Sequence, residues 1–430
     1  MFFIGWFFLL HIGIDKNPYY VSSKNCKECH EHFYAAWNDT LHPKQFRPVT
    51  VPGDILGNFD SEDPALTFKK EDVGFVIGNK WEQVYVIKID NEYYPLPAKW
   101  LINKKMWVPY KAKEWHKTPM SRKCNGCHTT GFNPDTLEFN EFGIGCEACH
   151  GAGSIHVQNQ HKHKSFLCSV CHQSNTEYQE DIITSVSSSV CGQCHNRGTN
   201  IPQDASGESQ FAFPVRYVPG DDINKYFKQI TVEDDTKENY LWGNGLSKNR
   251  HQEFSDWENS KHAQALELVQ EQFREDWGDL RDECLECHST DYRFAAKKNK
   301  QNVHSAQHGI TCVACHDSHG FDKLSSVNSG TLDRCGGCHI DSMSFRTFQK
   351  RQPHYPCPKG RASCTNCHMP FIGKTGGEFS IRSHTFSVIP PRETVKYGIP
   401  NSCQNGKCHG NKSIEWAIRE FDKFYSAPRQ

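Results

Sequence analysis

Ten times along this chain a pair of cysteines is followed at once by a histidine. Nine copies read C-x-x-C-H. They are Cys26, Cys29 and His30; Cys124, Cys127 and His128; Cys146, Cys149 and His150; Cys168, Cys171 and His172; Cys191, Cys194 and His195; Cys284, Cys287 and His288; Cys312, Cys315 and His316; Cys335, Cys338 and His339; and Cys364, Cys367 and His368. The tenth, Cys403, Cys408 and His409, has the wider form C-x4-C-H. The four copies between Cys124 and His195 start 22, 22 and 23 residues apart, a regularity that chance does not produce.

Such a pentapeptide attaches haem c. The two thiols add to the vinyl groups of the porphyrin, and the adjacent histidine reaches the iron as its axial ligand. The ten copies use 20 of the 21 cysteines and leave Cys357 over. That accounting excludes a disulfide scaffold as the main use of cysteine. Zinc sites need paired C-x-x-C units with no obligatory histidine behind each pair. The expected count is ten haems, or nine if Cys403 or Cys408 forms a disulfide with Cys357 instead.

Composition agrees with a core built partly of cofactor. Only 37% of the residues are hydrophobic and the mean hydropathy is -0.70, lean for 430 residues that must bury an apolar core. A porphyrin brings a large flat apolar surface that the chain can wrap. Formal net charge is -1. Each ferric haem with two protein ligands and two ionised propionates adds roughly -1 more. The oxidised holoprotein is therefore expected to be acidic and to suit a basic redox partner. No basic tract with interleaved aromatics is present, so nucleic acid is not an expected partner.

The sixth ligand decides what each iron can do. Methionine ligation raises the potential of a haem, but the chain has only five methionines. Of 24 histidines, ten belong to the motifs and 14 do not. With His11 set aside in the apolar start, enough remain for bis-His ligation throughout. The named candidates are His42, His116, His156, His251, His262, His308, His319, His354 and His384, with the last ligand drawn from His161, His163, His304 or His32. Iron with two imidazoles moves electrons and binds no substrate.

In chain order, residues 1–14 are apolar but short for a bilayer span, and lack a positive start and a small-residue cleavage site. Haem attachment takes place outside the cytoplasm, so an export signal is required. The segment is read as a truncated export signal, the end of a membrane anchor, or an apolar piece that packs on the protein. The expected location is extracytoplasmic, periplasmic or cell-surface, with membrane association through 1–14. Residues 50–110 carry no motif. They alternate apolar and polar residues around an Asp90-Asn91 turn, which predicts a small β insertion at about 70–100 that covers haem edges.

The second half repeats the first. Trp257-Glu-Asn-Ser260-Lys-His262 matches Trp37-Asn-Asp-Thr40-Leu-His42. Cys287-His288-Ser-Thr290 matches Cys127-His128-Thr-Thr130, and Gly309-Ile-Thr-Cys312 matches Gly143-Ile-Gly-Cys146. The expected organisation is an N-terminal segment 1–20, a five-haem half 21–200, a haem-free connection 201–250, a second five-haem half 251–410 and an amphipathic helix 411–430. Tryptophans 37 and 257 are read as packing residues rather than electron relays.

These stretches, with Gly145-Cys-Glu-Ala-Cys-His-Gly-Ala-Gly-Ser-Ile-His156, Cys367-His368-Met-Pro370, Arg382-Ser-His-Thr-Phe386 and Gly398-Ile-Pro-Asn-Ser-Cys403, resemble the cytochrome c-554 family of multihaem cytochromes over about residues 21 to 410. The resemblance implies a mainly α, loop-rich fold organised around stacked haems. It also implies haem packing related to hydroxylamine oxidoreductase and pentahaem nitrite reductase. No C-x-x-C-K motif is present, which argues against a lysine-ligated nitrite-reductase site. Two functional classes follow. The first is a non-catalytic electron carrier that works between redox proteins or with a quinol-linked membrane complex, alone, as a homo-oligomer or as a filament. The second is an oxidoreductase with one open haem acting on a small nitrogen or sulfur compound.

Overall fold

The computed structural model describes residues 17–163, 187–202, 211–236, 239–272, 282–294, 306–320, 331–339, 364–405 and 408–426. Residues 1–14, the motif Cys168, Cys171 and His172, and His304, His354 and Cys357 lie outside the described residues. His161 and His163 are described in their backbone alone. Helix outweighs strand, 33% against 17%, and the helices are short and joined by irregular loops. Among the described residues no helix is long and apolar enough to cross a membrane.

The expected β insertion is present and wider than the alternation alone indicated. Five antiparallel strands form a meander in sequence order: β1 Phe46–Pro48, β2 Phe75–Ile77, β3 Glu82–Ile89, β4 Glu92–Leu101 and β5 Met106–Pro109. The β3–β4 turn is Asp90-Asn91, with Asp90 at φ 54 and Ile89 paired with Glu92. Positive φ at the first turn residue is what a tight two-residue hairpin demands, and Asp tolerates it. Because side chains alternate across a strand, β3 sends Tyr85 to one face and Val84 and Val86 to the other. Tyr85 joins Val76, Leu96, Ala98, Trp100 and Trp107 in a core of the insertion's own. Val84 and Val86 pack with Phe46 and Met120, beside Cys124 and Phe142. The second face is thus the wall of the Cys124 motif. Elsewhere the apolar clusters hold only three or four buried residues each. Among the described residues no continuous core runs through the motif-bearing segments, as expected if cofactor fills that space.

Glu82 fastens the insertion to the second half. Its buried carboxylate meets Lys99 Nζ at 2.9 Å and Arg250 at 2.6 Å. It also accepts from the backbone of Gly376, in the turn of the ribbon Phe371–Thr375 and Glu378–Arg382. Burial alone would raise this carboxyl, but the two cations outweigh it and hold it below the usual 4.5. The contribution to stability is therefore fully present above about pH 4.5 and is lost as the pH falls through the folded value. Replacing Glu82 with Gln is expected to cost on the order of 3 kcal/mol, because it strands two partly buried cations. Denaturant melts should show that loss at pH 7 and a smaller difference from wild type at pH 3.

The internal duplication recurs as a set of matching hydrogen bonds. Trp37 donates its indole N–H to Ile144 O at 3.0 Å, and Trp257 donates to Ile310 O at 2.7 Å. His42 O accepts from Ile144 N, and His262 O accepts from Ile310 N. Thr130 Oγ1 donates to Gly143 O and Thr290 Oγ1 to Gly309 O. The tryptophans thus tie each W-x-x-[ST]-x-H unit to the segment that leads into the Cys146 or Cys312 motif. Two further matches were not legible in the motif order. Cys146 N donates to Ser23 Oγ, and Cys312 N to Ser188 Oγ. Tyr34 N donates to His30 O, and Phe254 N to His195 O, both at 2.9 Å. In this register Cys191–His195 has the place in the second repeat that Cys26–His30 has in the first. The connection of about 201–250 then enters between His195 and the helix Glu253–Glu258 that docks on it.

Candidate haem centres

C-x-x-C-H works because one helical turn puts its three side chains on one face. Residues i, i+3 and i+4 are neighbours on a helix surface. The backbone makes that turn: His30 N donates to Cys26 O, His150 N to Cys146 O, His195 N to Cys191 O and His316 N to Cys312 O, at 2.9 to 3.1 Å. Other motifs lie at helix ends, including Asn125–His128, Asp282–His288, Thr331–His339 and Cys364–His368.

Among the described residues, five motif histidines face a histidine from outside the motifs. His30 faces His156 with ring centroids 6.2 Å apart, and His150 faces His319 at 5.9 Å. His316 faces His384 at 6.2 Å, His195 faces His251 at 5.7 Å, and His339 faces His262 at 6.0 Å. With metal–nitrogen bonds of about 2 Å and ring centroids roughly 1 Å beyond, two imidazoles on opposite sides of one metal ion stand roughly 6 Å apart. The spacing therefore fits an iron between each pair. Among the described residues no group of three or more His, Cys, Asp or Glu converges as a metal site.

Three of the imidazoles are also held in the tautomer that a metal ligand needs. His288 Nδ1 lies 3.1 Å from Ala265 O, His368 Nδ1 3.1 Å from Phe386 O, and His384 Nδ1 3.0 Å from Arg382 O. A carbonyl only accepts, so Nδ1 carries the proton and the other ring nitrogen keeps its lone pair for metal. His195 makes the same bond to a carboxylate, with Nδ1 3.1 Å from Glu253 Oε2. Burial disfavours the charged imidazole of His195, but Glu253 outweighs it and raises its pKa; Glu253 is held well below the carboxylate range. Two of these contacts rest on left-handed backbone outside glycine, at His251 (φ 62) and Phe386 (φ 57). Such strain persists where surrounding structure requires it.

Cysteines of different motifs meet as well. Cys26 shares a hydrogen bond with Cys146, Cys127 with Cys194, Cys191 with Cys312, Cys287 with Cys338, and Cys335 with Cys364. In each pair the bond pushes one thiol down: Cys146 and Cys312 to about 7, Cys338 and Cys364 to about 6, and Cys127 below its usual value. Cys149 acts electrostatically on Cys194, and Cys315 on Cys335. Ser402, beside Cys403, donates to Cys367 O at 2.7 Å. Among the described residues the motifs thereby neighbour one another in the order Cys26, Cys146, Cys191, Cys312, Cys335, Cys364 and Cys403. The Cys124 site joins at Cys191–Cys194, and the Cys284 site joins at Cys335–Cys338.

The remaining candidates fall elsewhere. His42 is buried, and burial lowers it to about 4. Its counterpart in the second repeat, His262, faces His339. His116 is exposed against Trp115, with ring centroids 5.7 Å apart. His308 is held through its backbone N–H by Asp291. His409 lies against Trp416 of the C-terminal helix Ile414–Ser426, at 4.8 Å. Motif reading did not single out Glu253. Its signal was its place four residues before Trp257 and two after His251.

Two stretches of the sequence, 100–151 and 248–317, match the family described as cytochrome c554 and c-prime. No protein of curated function has a matching sequence. The fold resembles the crystal structure of the outer cell wall cytochrome OcwA, with a TM-score of 0.76 and 28% identity, covering 94% of this chain and 86% of that one. It also resembles the undecahaem cytochrome from the S-layer of Carboxydothermus ferrireducens, with a TM-score of 0.55 and 19% identity, over 94% of this chain and 60% of that one. The repeated attachment motifs, the facing imidazoles and these likenesses converge: the chain is a multihaem c-type cytochrome.

Proposed function

We propose that the protein is an extracytoplasmic decahaem conductor that passes single electrons between redox partners. Haem c supplies the one-electron Fe(III)/Fe(II) couple. The observation that carries the reading is the set of five imidazole pairs at 5.7 to 6.2 Å. In each pair the motif histidine and its facing histidine would hold the iron between them and leave it no open position for a substrate. The cysteines fix each group in place, and the meeting of cysteines from different motifs brings the sites into series. The likeness to cytochromes of an outer cell wall and an S-layer supports a place outside the cytoplasm. The acidic oxidised form selects a basic partner surface.

Potentiometric titration of the holoprotein tests the reading. All haems are expected to reduce and reoxidise reversibly over a broad potential window. A haem fraction that stays redox-silent would contradict it.

A further inference from the structure

The duplicated scaffold places one carboxylate where its first copy has none. Aligning Tyr34 with Phe254 and Trp37 with Trp257 sets Glu253 opposite Phe33. Phe33 packs edge-on against His30, with ring centroids 6.5 Å apart. Glu253 instead reaches His195 Nδ1 at 3.1 Å. The Nδ1 atoms of His288 and His368 meet neutral backbone carbonyls at the same distance. The difference is one of charge, not of geometry.

A carboxylate that accepts the Nδ1–H of a ligating imidazole makes that imidazole a stronger donor. Added donation and a nearby negative charge both stabilise ferric iron over ferrous, because the ferric centre carries one more positive charge. The position in the chain gives the effect reach. Cys191 meets Cys312, and Cys194 meets Cys127 and lies near Cys149. The Cys191–His195 site is therefore the place where the first repeat's sites join the second's.

We infer that Glu253, acting through His195, holds the haem attached at Cys191 and Cys194 at a lower reduction potential than the haems whose proximal histidines meet backbone carbonyls. Glu253 is a positioning residue that sets how readily electrons cross between the two repeats. The inference rests on the reading of His195 as an iron ligand and adds no bond-making step.

The test uses the fully loaded protein. Glu253→Gln keeps the shape and an acceptor but removes the charge. It is expected to raise one couple at the low end of the titration, by on the order of a tenfold change in its equilibrium constant, about 59 mV for one electron. The other couples and the haem content stay as in wild type, and that haem's low-spin EPR signal shifts. Glu253→Asp keeps the carboxylate and is expected to move the couple less. An unchanged titration in Glu253→Gln at full haem content overturns the inference, as does an equal shift in both variants. Failure of the bis-His reading is distinguishable, because it shows as a high-spin signal in the wild-type protein.

Discussion

Replacing Cys191 and Cys194 together with serine is expected to remove one haem per chain and to separate the remaining haems into groups that no longer connect. Serine cannot form the thioether, and His195 alone does not hold the cofactor covalently. The Cys146 site reaches the Cys312 site through this one: Cys149 lies by Cys194, and Cys191 meets Cys312. The Cys124 site depends on it too, through Cys127 and Cys194. Its removal therefore interrupts the described order at its middle, while loss of a terminal site such as Cys26–His30 only shortens the order. Stopped-flow reduction by a small donor protein should turn from one concerted fast approach into two phases, with the second governed by slow direct reduction of the isolated group. Haemochrome assay and intact mass check the loss of one haem. Unaltered kinetics in the protein lacking this haem would contradict the order of sites.

Replacing His319 with leucine is expected to convert one bis-His centre into an open one. His319 and His150 are nearly parallel, with an interplanar angle of 18° and centroids 5.9 Å apart. They come from different repeats, since His150 closes the Cys146 motif and His319 follows Cys312–His316. Leucine offers no lone pair, so His150 would be left as the single protein ligand. One iron per chain should then show a high-spin ferric signal and bind carbon monoxide, while the haem content stays full because Cys146 and Cys149 are untouched. Its couple should rise, since one donor to ferric iron is gone. A variant whose spectrum remains entirely low-spin would remove His319 from the ligand set. Because His319 bridges the repeats, the variant should also unfold more easily, a second effect visible in a thermal melt.

The sequence carried most of what one needs for the cofactor and less of what one needs for the architecture. The C-x-x-C-H turns were legible because the chemistry is local: Cys, Cys and His on one helical turn suffice. The five histidines that face a motif histidine among the described residues, His156, His251, His262, His319 and His384, were all named as candidates, but their placement opposite His30, His195, His339, His150 and His316 was not legible. Each pairing is a contact between distant segments that no spacing encodes. The hairpin around Asp90-Asn91 followed from alternation, yet β1 was missed, since a three-residue strand at Phe46–Pro48 is too short to show a period. The role of Cys191–His195 at the head of the second repeat escaped motif counting because 57 residues, 196–252, separate His195 from its docking helix. The shared signals were there, in Ser23 and Ser188, each three residues before its cysteine. Glu253 was hidden for a different reason: an acidic residue on a polar helix reads as solvated until His195 is seen beside it.

With two imidazoles on every iron, the protein can act only as a carrier of electrons. Low-temperature EPR of the fully oxidised holoprotein, integrated against haem content, tests it most directly. The expected result is low-spin ferric signal accounting for every haem, with rhombic features from near-parallel pairs such as His150 and His319 and large-g features from crossed pairs such as His262 and His339, at 78°. A stoichiometric high-spin signal from even one iron would contradict the account and turn the protein from a conductor into an enzyme with an open site.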